Sequence, residues 1–214
     1  MAGTARSLAF APLTSARWRD FERLFGQNGG CAGCWCMWFR QSSAEFRSRH
    51  GEGNRRALQK LVRSRQSVGV LAYVDGEPAG WCAVAPRERY PRVLRSKVLA
   101  PVDERPAWAV TCFYVGRKFR RAGLNGPLLP AAVSYALSKR ARLIEGYPID
   151  PVTREISNSE AYHGLLTTFR ACGFREDARR SPNRPIVRLD ASGGAPRRGP
   201  LRRVRSAAMK ARRG

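Results

Sequence analysis

The stretch from Gly116 to Gly126 sets Arg117, Lys118, Arg120 and Arg121 beside Gly123 and Gly126. Cations next to glycines suit the binding of an anion, above all a phosphate. A helix that starts here leaves about four backbone N–H groups without internal partners. Its dipole adds roughly half a positive charge at the same end. A phosphate satisfies both if the backbone can come close. Gly123 and Gly126 lack the Cβ atoms that would block that approach.

Two elements must position this turn. Trp108 to Val115, rich in β-branched and aromatic residues, predicts a buried strand before it. Pro127 to Arg140 predicts a helix after it, with Leu128, Leu129, Ala132, Val133, Ala136 and Leu137 recurring at helical spacing. Pro127 suits the first helical position. Pro130 requires a start no earlier than Gly126, because its missing N–H otherwise breaks a ladder bond.

Cys31, Cys34 and Cys36 form a second concentration of reactive side chains, in CAGCWCMWFR (Cys31 to Arg40). Three thiolates fall one short of a closed zinc site. His50, His163 and Cys172 stand at no recognisable spacing to supply the fourth, so no metal is assigned. No thioredoxin-like unit surrounds Cys31 and Cys34 to support a redox pair. Two readings stay open. The segment is a packed aromatic elbow between two helices, or it lines a pocket for an apolar or planar molecule. Cys82 and Cys112 lie in strand-like apolar runs and read as buried thiols. Nothing near Cys112 predicts a depressed pKa.

The 214 residues accommodate one domain plus a tail, residues 1–190 and 191–214. The formal net charge is +24. Arg197, Arg198, Arg202, Arg203, Arg205, Lys210, Arg212 and Arg213 account for eight of those charges, so the body is itself basic. Such a field attracts polyanions. The tail lacks a hydrophobic pattern and reads as disordered. The apolar patch near the N-terminus is too brief for a signal peptide, and no run approaches a membrane span of about 18 residues. The expected location is cytoplasmic.

Leu13 to Phe25 predicts a helix capped by Thr14 or Ser15, broken by GQNGG. Ser42 to Arg65 predicts a second, interrupted at Gly51 and Gly53. Val68 to Val74 and Ala79 to Ala85 flank Asp75-Gly76, a hairpin signal. Pro86 to Pro106 is a basic, proline-punctuated connection. Arg142 to Ile149 reads as a strand. A helix capped by Ser157 or Ser159 runs to Cys172, and Phe174 to Glu176 with Ile186 to Leu189 form a last hairpin.

Strand, then RRAGLNG, then helix resembles the acyl-CoA pyrophosphate loop of the GNAT N-acetyltransferase superfamily, whose pattern is Gln/Arg-x-x-Gly-x-Gly/Ala. Arg120 and Gly123 match; Asn125 stands where a small residue is usual. Leu143 to Pro148 resembles the family's next strand. Phe169 to Phe174 resembles its late Tyr-x-x-x-Gly-Phe, with Phe169 in the tyrosine's place. The resemblance implies an α/β (α+β) fold with a mixed, mostly antiparallel central sheet flanked by helices, and acetyl transfer from acetyl-CoA to an amine. Phe113, Tyr114 and Val115 would align the pantetheine arm. Arg120, Arg121, Ala122, Gly123, Leu124, Asn125 and Gly126 would hold the pyrophosphate, with Arg117 and Lys118 assisting. Cys34, Trp35, Trp38 and Tyr90 would border the acceptor. Glu145 is the carboxylate placed to act as base, and Tyr162 and His163 are substitutes for the absent tyrosine acid. The partners expected are a small-molecule or peptide amine and, through the tail, nucleic acid; a homodimer is an open reading. The alternative is a nucleic-acid- or ribosome-binding protein that uses this fold as a scaffold.

Overall fold

The structure is a computed structural model that describes residues 6–151 and 160–192. The chain runs β1 (Leu8–Pro12), α1 (Trp18–Phe25), α2 (Ser43–Ser48), α3 (Glu52–Arg63), β2 (Gly69–Val74), β3 (Glu77–Pro86) and α4 (Pro91–Leu94). There follow β4 (Trp108–Val115), α5 (Asn125–Ser138), β5 (Leu143–Gly146), α6 (Leu166–Ala171), β6 (Arg175–Arg179) and β7 (Pro185–Asp190). The strands form one seven-stranded sheet in the order β1-β2-β3-β4-β5-β7-β6. Only the β4–β5 pair is parallel; the other five pairs are antiparallel. The mixed, mostly antiparallel sheet is therefore as expected.

Alternation along the strands sorts side chains onto two faces. Val70 and Ala72 of β2, with Cys82 and Val84 of β3, pack under α5 and α6 in one core with Phe113, Leu128, Leu129 and Phe169. Leu71, Trp81 and Ala83 point the other way, against Phe21, Leu24 and Phe25 of α1, Leu58 and Val62 of α3, and Trp35. The crossover between parallel strands needs a long connection. α5 supplies it and buries Leu128, Leu129, Ala132, Val133 and Ala136.

Asp75 and Gly76 carry φ values of +50° and +79°, the paired left-handed residues of a type I′ turn. The second helix divides as its glycines suggest: α2 carries a capping box between Ser42 and Glu45, and Gly51 sits at the N-terminus of α3 with φ +69°.

Several expectations need correction. β1 was not foreseen; five residues ending in Pro12 are tolerable as an edge strand, where a missing N–H is harmless. Neither Thr14 nor Ser15 caps α1, which begins at Trp18 after a 3-10 turn at Ser15–Arg17. α5 starts at Asn125, one residue earlier than Pro130 was expected to allow. The Gly126 carbonyl therefore lacks its usual N–H partner. The late helix is two pieces, a 3-10 turn at Glu160–His163 and α6. Gly164 between them has φ +76°, and a Cβ there would meet the Phe113 ring at 2.9 Å. Ser157 and Ser159 lie outside the described residues, as does the expected tail from residue 193 on. No helix among the described residues is long and apolar enough to cross a membrane.

Candidate active site

β4 and β5 part company halfway along β4. They pair through Trp108–Ile144, Ala109–Glu145 and Val110–Gly146 and then stop, whereas β3 follows β4 to Val115. Gly146 permits the fork: a Cβ there would lie 2.1 Å from the Phe169 ring, which fills the space beside the strand. The Gly116 N–H donates to the Ala79 carbonyl of β3 at 3.0 Å. By two-residue alternation, Phe113 and Val115 turn their backbone groups to the opposite, unpaired edge. Side chains already reach that edge at both ends. Arg120 Nε–H donates to the Val115 carbonyl at 3.2 Å, and His163 Nδ1 lies 3.4 Å from the Thr111 carbonyl.

A cavity of about 450 Å³ opens on this edge. Of the residues expected to hold the acyl-CoA, Phe113, Val115, Arg120, Arg121, Gly123, Leu124, Asn125 and Gly126 line it. Tyr114 and Ala122 do not; the Tyr114 side chain packs on the opposite face of the sheet. The start of α5 has no side-chain cap and no acidic residue in its first turn. Gly123 has φ +71°, and a Cβ built at Gly123 or at Gly126 meets nothing within 4 Å. A substituent at either position would occupy the cavity. The Asn125 carboxamide oxygen is buried without a partner. These features fit a diphosphate at the helix start and an extended arm along β4. Lys118 is not one of the residues facing that start, because it pairs with Glu77.

Tyr162 also lines the cavity. Its ring stacks on Tyr114 at 6.0 Å and 21°, and its hydroxyl meets Cys31. Burial and then the Cys31 sulfur push the phenol up to about 12. His163 stands beside it, edge-on to Phe39 at 5.5 Å. The sequence reading missed Phe119 and Thr168, which complete the lining. Phe119 follows the turn's cations, and Thr168 belongs to the late helix, but no motif marks either. Phe169, in place of the family's tyrosine, is fully buried, edge-on to Phe113 at 5.9 Å and to Phe174 at 5.1 Å.

Glu145 is not placed to act as a base. It is fully buried, and Arg87 Nη1, Arg188 Nε and Arg188 Nη2 donate to its Oε1 at 2.9, 3.0 and 2.7 Å. The Tyr147 hydroxyl takes Oε2 at 2.8 Å. Two guanidinium groups and a phenol engage this carboxylate inside the fold, and it is not among the residues that line the cavity. Asp103, paired with Arg188 and Arg105, extends this network outward, and its carboxyl is held well below the usual range.

The four residues expected to border the acceptor do not converge on one opening. Trp35 and Tyr90 are buried in separate cores. Cys34 donates to the Gly29 carbonyl at 3.6 Å, and burial raises its thiol to about 11. Trp38 is 44% exposed on the outside of the elbow. Trp35 and Cys36 adopt φ of +43° and +60°, so this elbow holds non-glycine residues in the left-handed region. It is fastened by Trp81 Nε1–H, which donates to Cys36 Sγ at 3.1 Å. The Cys112 thiol donates to the Phe113 carbonyl at 3.6 Å, and its interaction with Cys36 lowers the pKa of Cys36 and raises that of Cys112. Among the described residues no three His, Cys, Asp or Glu side chains gather in an arrangement that could hold a metal ion.

The sheet is forked between β4 and β5, and the uncapped start of α5 stands at the fork. Residues 35–147 match the model of the acetyltransferase (GNAT) family, and the chain belongs to that family. Two of the solved structures, with TM-scores of 0.51 and 0.50, agree in fold. An aminoglycoside N-acetyltransferase in complex with CoA is 13% identical over 84% of this chain and 95% of its own, with TM-score 0.51. An uncharacterized protein from Bacillus halodurans is 14% identical over 86% and 84%, with TM-score 0.50. A PaiA N-acetyltransferase from Thermoplasma acidophilum, in complex with coenzyme A, is 12% identical over 86% and 99%, with TM-score 0.49. No curated protein sequence matches the chain.

Proposed function

We propose that this chain transfers an acetyl group from acetyl-CoA to the nitrogen of an amine. The observation that carries the reading is the cavity at the fork, where the uncapped start of α5 and two open glycine positions meet the unpaired edge of β4. Amides from Arg121 to Gly126 would hold the diphosphate, with Arg120 and Arg121 adding charge. Backbone groups of Phe113 and Val115 would pair with the arm as an added strand. The co-substrate supplies the activated acetyl group; the chain supplies position and proton transfer. Tyr162 would protonate the departing thiolate, since its raised pKa keeps it a donor at neutral pH. His163, beside the Thr111 carbonyl where β4 leaves β5, would take the amine's proton. If Nδ1 carries its hydrogen to that carbonyl, Nε2 is the basic nitrogen.

The test is a melting curve with and without acetyl-CoA, followed by free-thiol release over a panel of amines. Stabilisation by acetyl-CoA that disappears in Arg120→Ala/Gly123→Val supports the reading. An unmoved melting temperature at saturating acetyl-CoA defeats it.

A further inference from the structure

On the outer side of the elbow, away from the acyl-CoA cavity, arginines and aromatic rings crowd together. The Arg92 guanidinium lies 3.8 Å above the Trp38 ring and 5.7 Å from the Phe46 ring. Trp38 and Phe46 meet edge-on at 5.0 Å and 88°, and Trp38 keeps 44% of its surface in water. Arg92 Nε donates to the Gln41 carbonyl at 3.1 Å, but its Nη2 is buried and has no partner. Gln41 is 3% exposed, and neither end of its carboxamide has a partner. Arg92 and Gln41, joined through the Gln41 carbonyl, thus each keep a buried polar group without a partner among the described residues.

The charges nearby are mostly positive. Arg47 faces Arg92, and burial together with that like charge lowers the Arg92 pKa. Arg49 and Arg95 act on Glu45, the one acid in the group, whose carboxylate is occupied capping α2 through Ser42. None of Arg47, Arg49, Arg92 and Arg95 forms an ion pair among the described residues. Clustered cations of this kind attract an anion. Planar rings interleaved with guanidinium groups favour an anion that also carries stacking bases.

We propose that this face binds single-stranded nucleic acid, a base stacking on Trp38 and Phe46 and phosphates resting on Arg92 and Arg47. Both acyl transfer and this binding can hold without the other, because the residues are separate from the cavity. The experiment titrates full-length protein into a fluorescein-labelled uridine dodecamer and reads anisotropy at two salt concentrations. Trp38→Ala and Arg92→Gln are compared with the parent chain, folding being checked by circular dichroism melts. All three chains share the same basic tail, so differences report this face. The expected result is about a tenfold loss of affinity in Trp38→Ala, the scale of one base stack. Arg92→Gln should lose affinity and lower the slope of log affinity against log salt by about one. Should Trp38→Ala fail to fold, Arg92→Gln decides alone. Affinities within twofold of the parent, no binding by the parent chain, or tighter binding of an oligoglutamate of equal charge would each overturn the proposal.

Discussion

A buried carboxylate and a half-buried phenol divide the work at the level of single residues. Glu145 joins Arg87 and Arg188 inside the sheet, with 0%, 4% and 6% of their respective surfaces exposed. Glu145→Gln removes the shared anion and leaves two guanidinium groups buried beside a neutral amide. The expected loss is about 3–5 kcal/mol, the scale for breaking one side of a buried pair. It is read as a lower denaturation midpoint, with turnover of the remaining folded protein within twofold of the parent. A collapse of turnover at full stability would return Glu145 to the reaction. Tyr162→Phe should do the opposite. It keeps the stack on Tyr114, removes the hydroxyl and lowers kcat about tenfold or more, with little change in KM for acetyl-CoA. Because burial and Cys31 hold this phenol near 12, its deprotonation should add no descending limb to the parent's rate profile below about pH 11.

At the scale of elements, the turn before α5 matters through what it leaves out. Gly126 lies in the first turn of a 14-residue helix, and nothing stands within 4 Å of an added Cβ. Gly126→Val should therefore fold normally, its melting temperature moving by a few degrees at most, since helix propensity changes by well under about 1 kcal/mol. The same methyl groups would project toward the cavity, and KM for acetyl-CoA should rise about tenfold or more. A variant with unchanged KM would mean that the diphosphate does not lie over this turn. The fork has a similar economy: Gly146 ends β5, and Phe169 of α6 fills the space its side chain would need.

The whole molecule is governed by its charge. A net +24 is self-repulsive in the compact state and less so in the expanded chain. Raising sodium chloride from about 0.05 to 0.5 M shrinks the Debye length from roughly 14 to 4 Å. The melting temperature of the free protein should rise by a few degrees. Over the same range the apparent affinity for acetyl-CoA should fall, because its phosphates would meet Arg120 and Arg121 of the cavity lining, whose charges salt screens. Opposite signs for the two measurements are the expected result; a parallel rise would place the diphosphate contacts in backbone amides alone. The exposed ion pairs, such as Arg23–Asp20 and Arg56–Glu52, contribute too little to reverse the first trend.

Short-range patterns were enough for much of this. The β2–β3 hairpin was readable because Asp75-Gly76 admits few backbone shapes. The open glycine turn before α5 was readable because missing side chains and a helix start act within a few residues of one another. What the linear pattern could not supply was the surroundings of a side chain that distant segments enclose. Glu145 looks available until Arg87 and Arg188, 58 and 43 residues away, close over it. Trp35 looks like a pocket wall until the sheet and α1 bury it, and Tyr90 until Phe39, α4 and the sheet do. The sequence by itself determined most of the strands and the glycine turn before α5, because those depend on local backbone geometry. Only the tertiary structure decided which acids, phenols and rings still face water, because burial is set by whatever the rest of the chain packs on top.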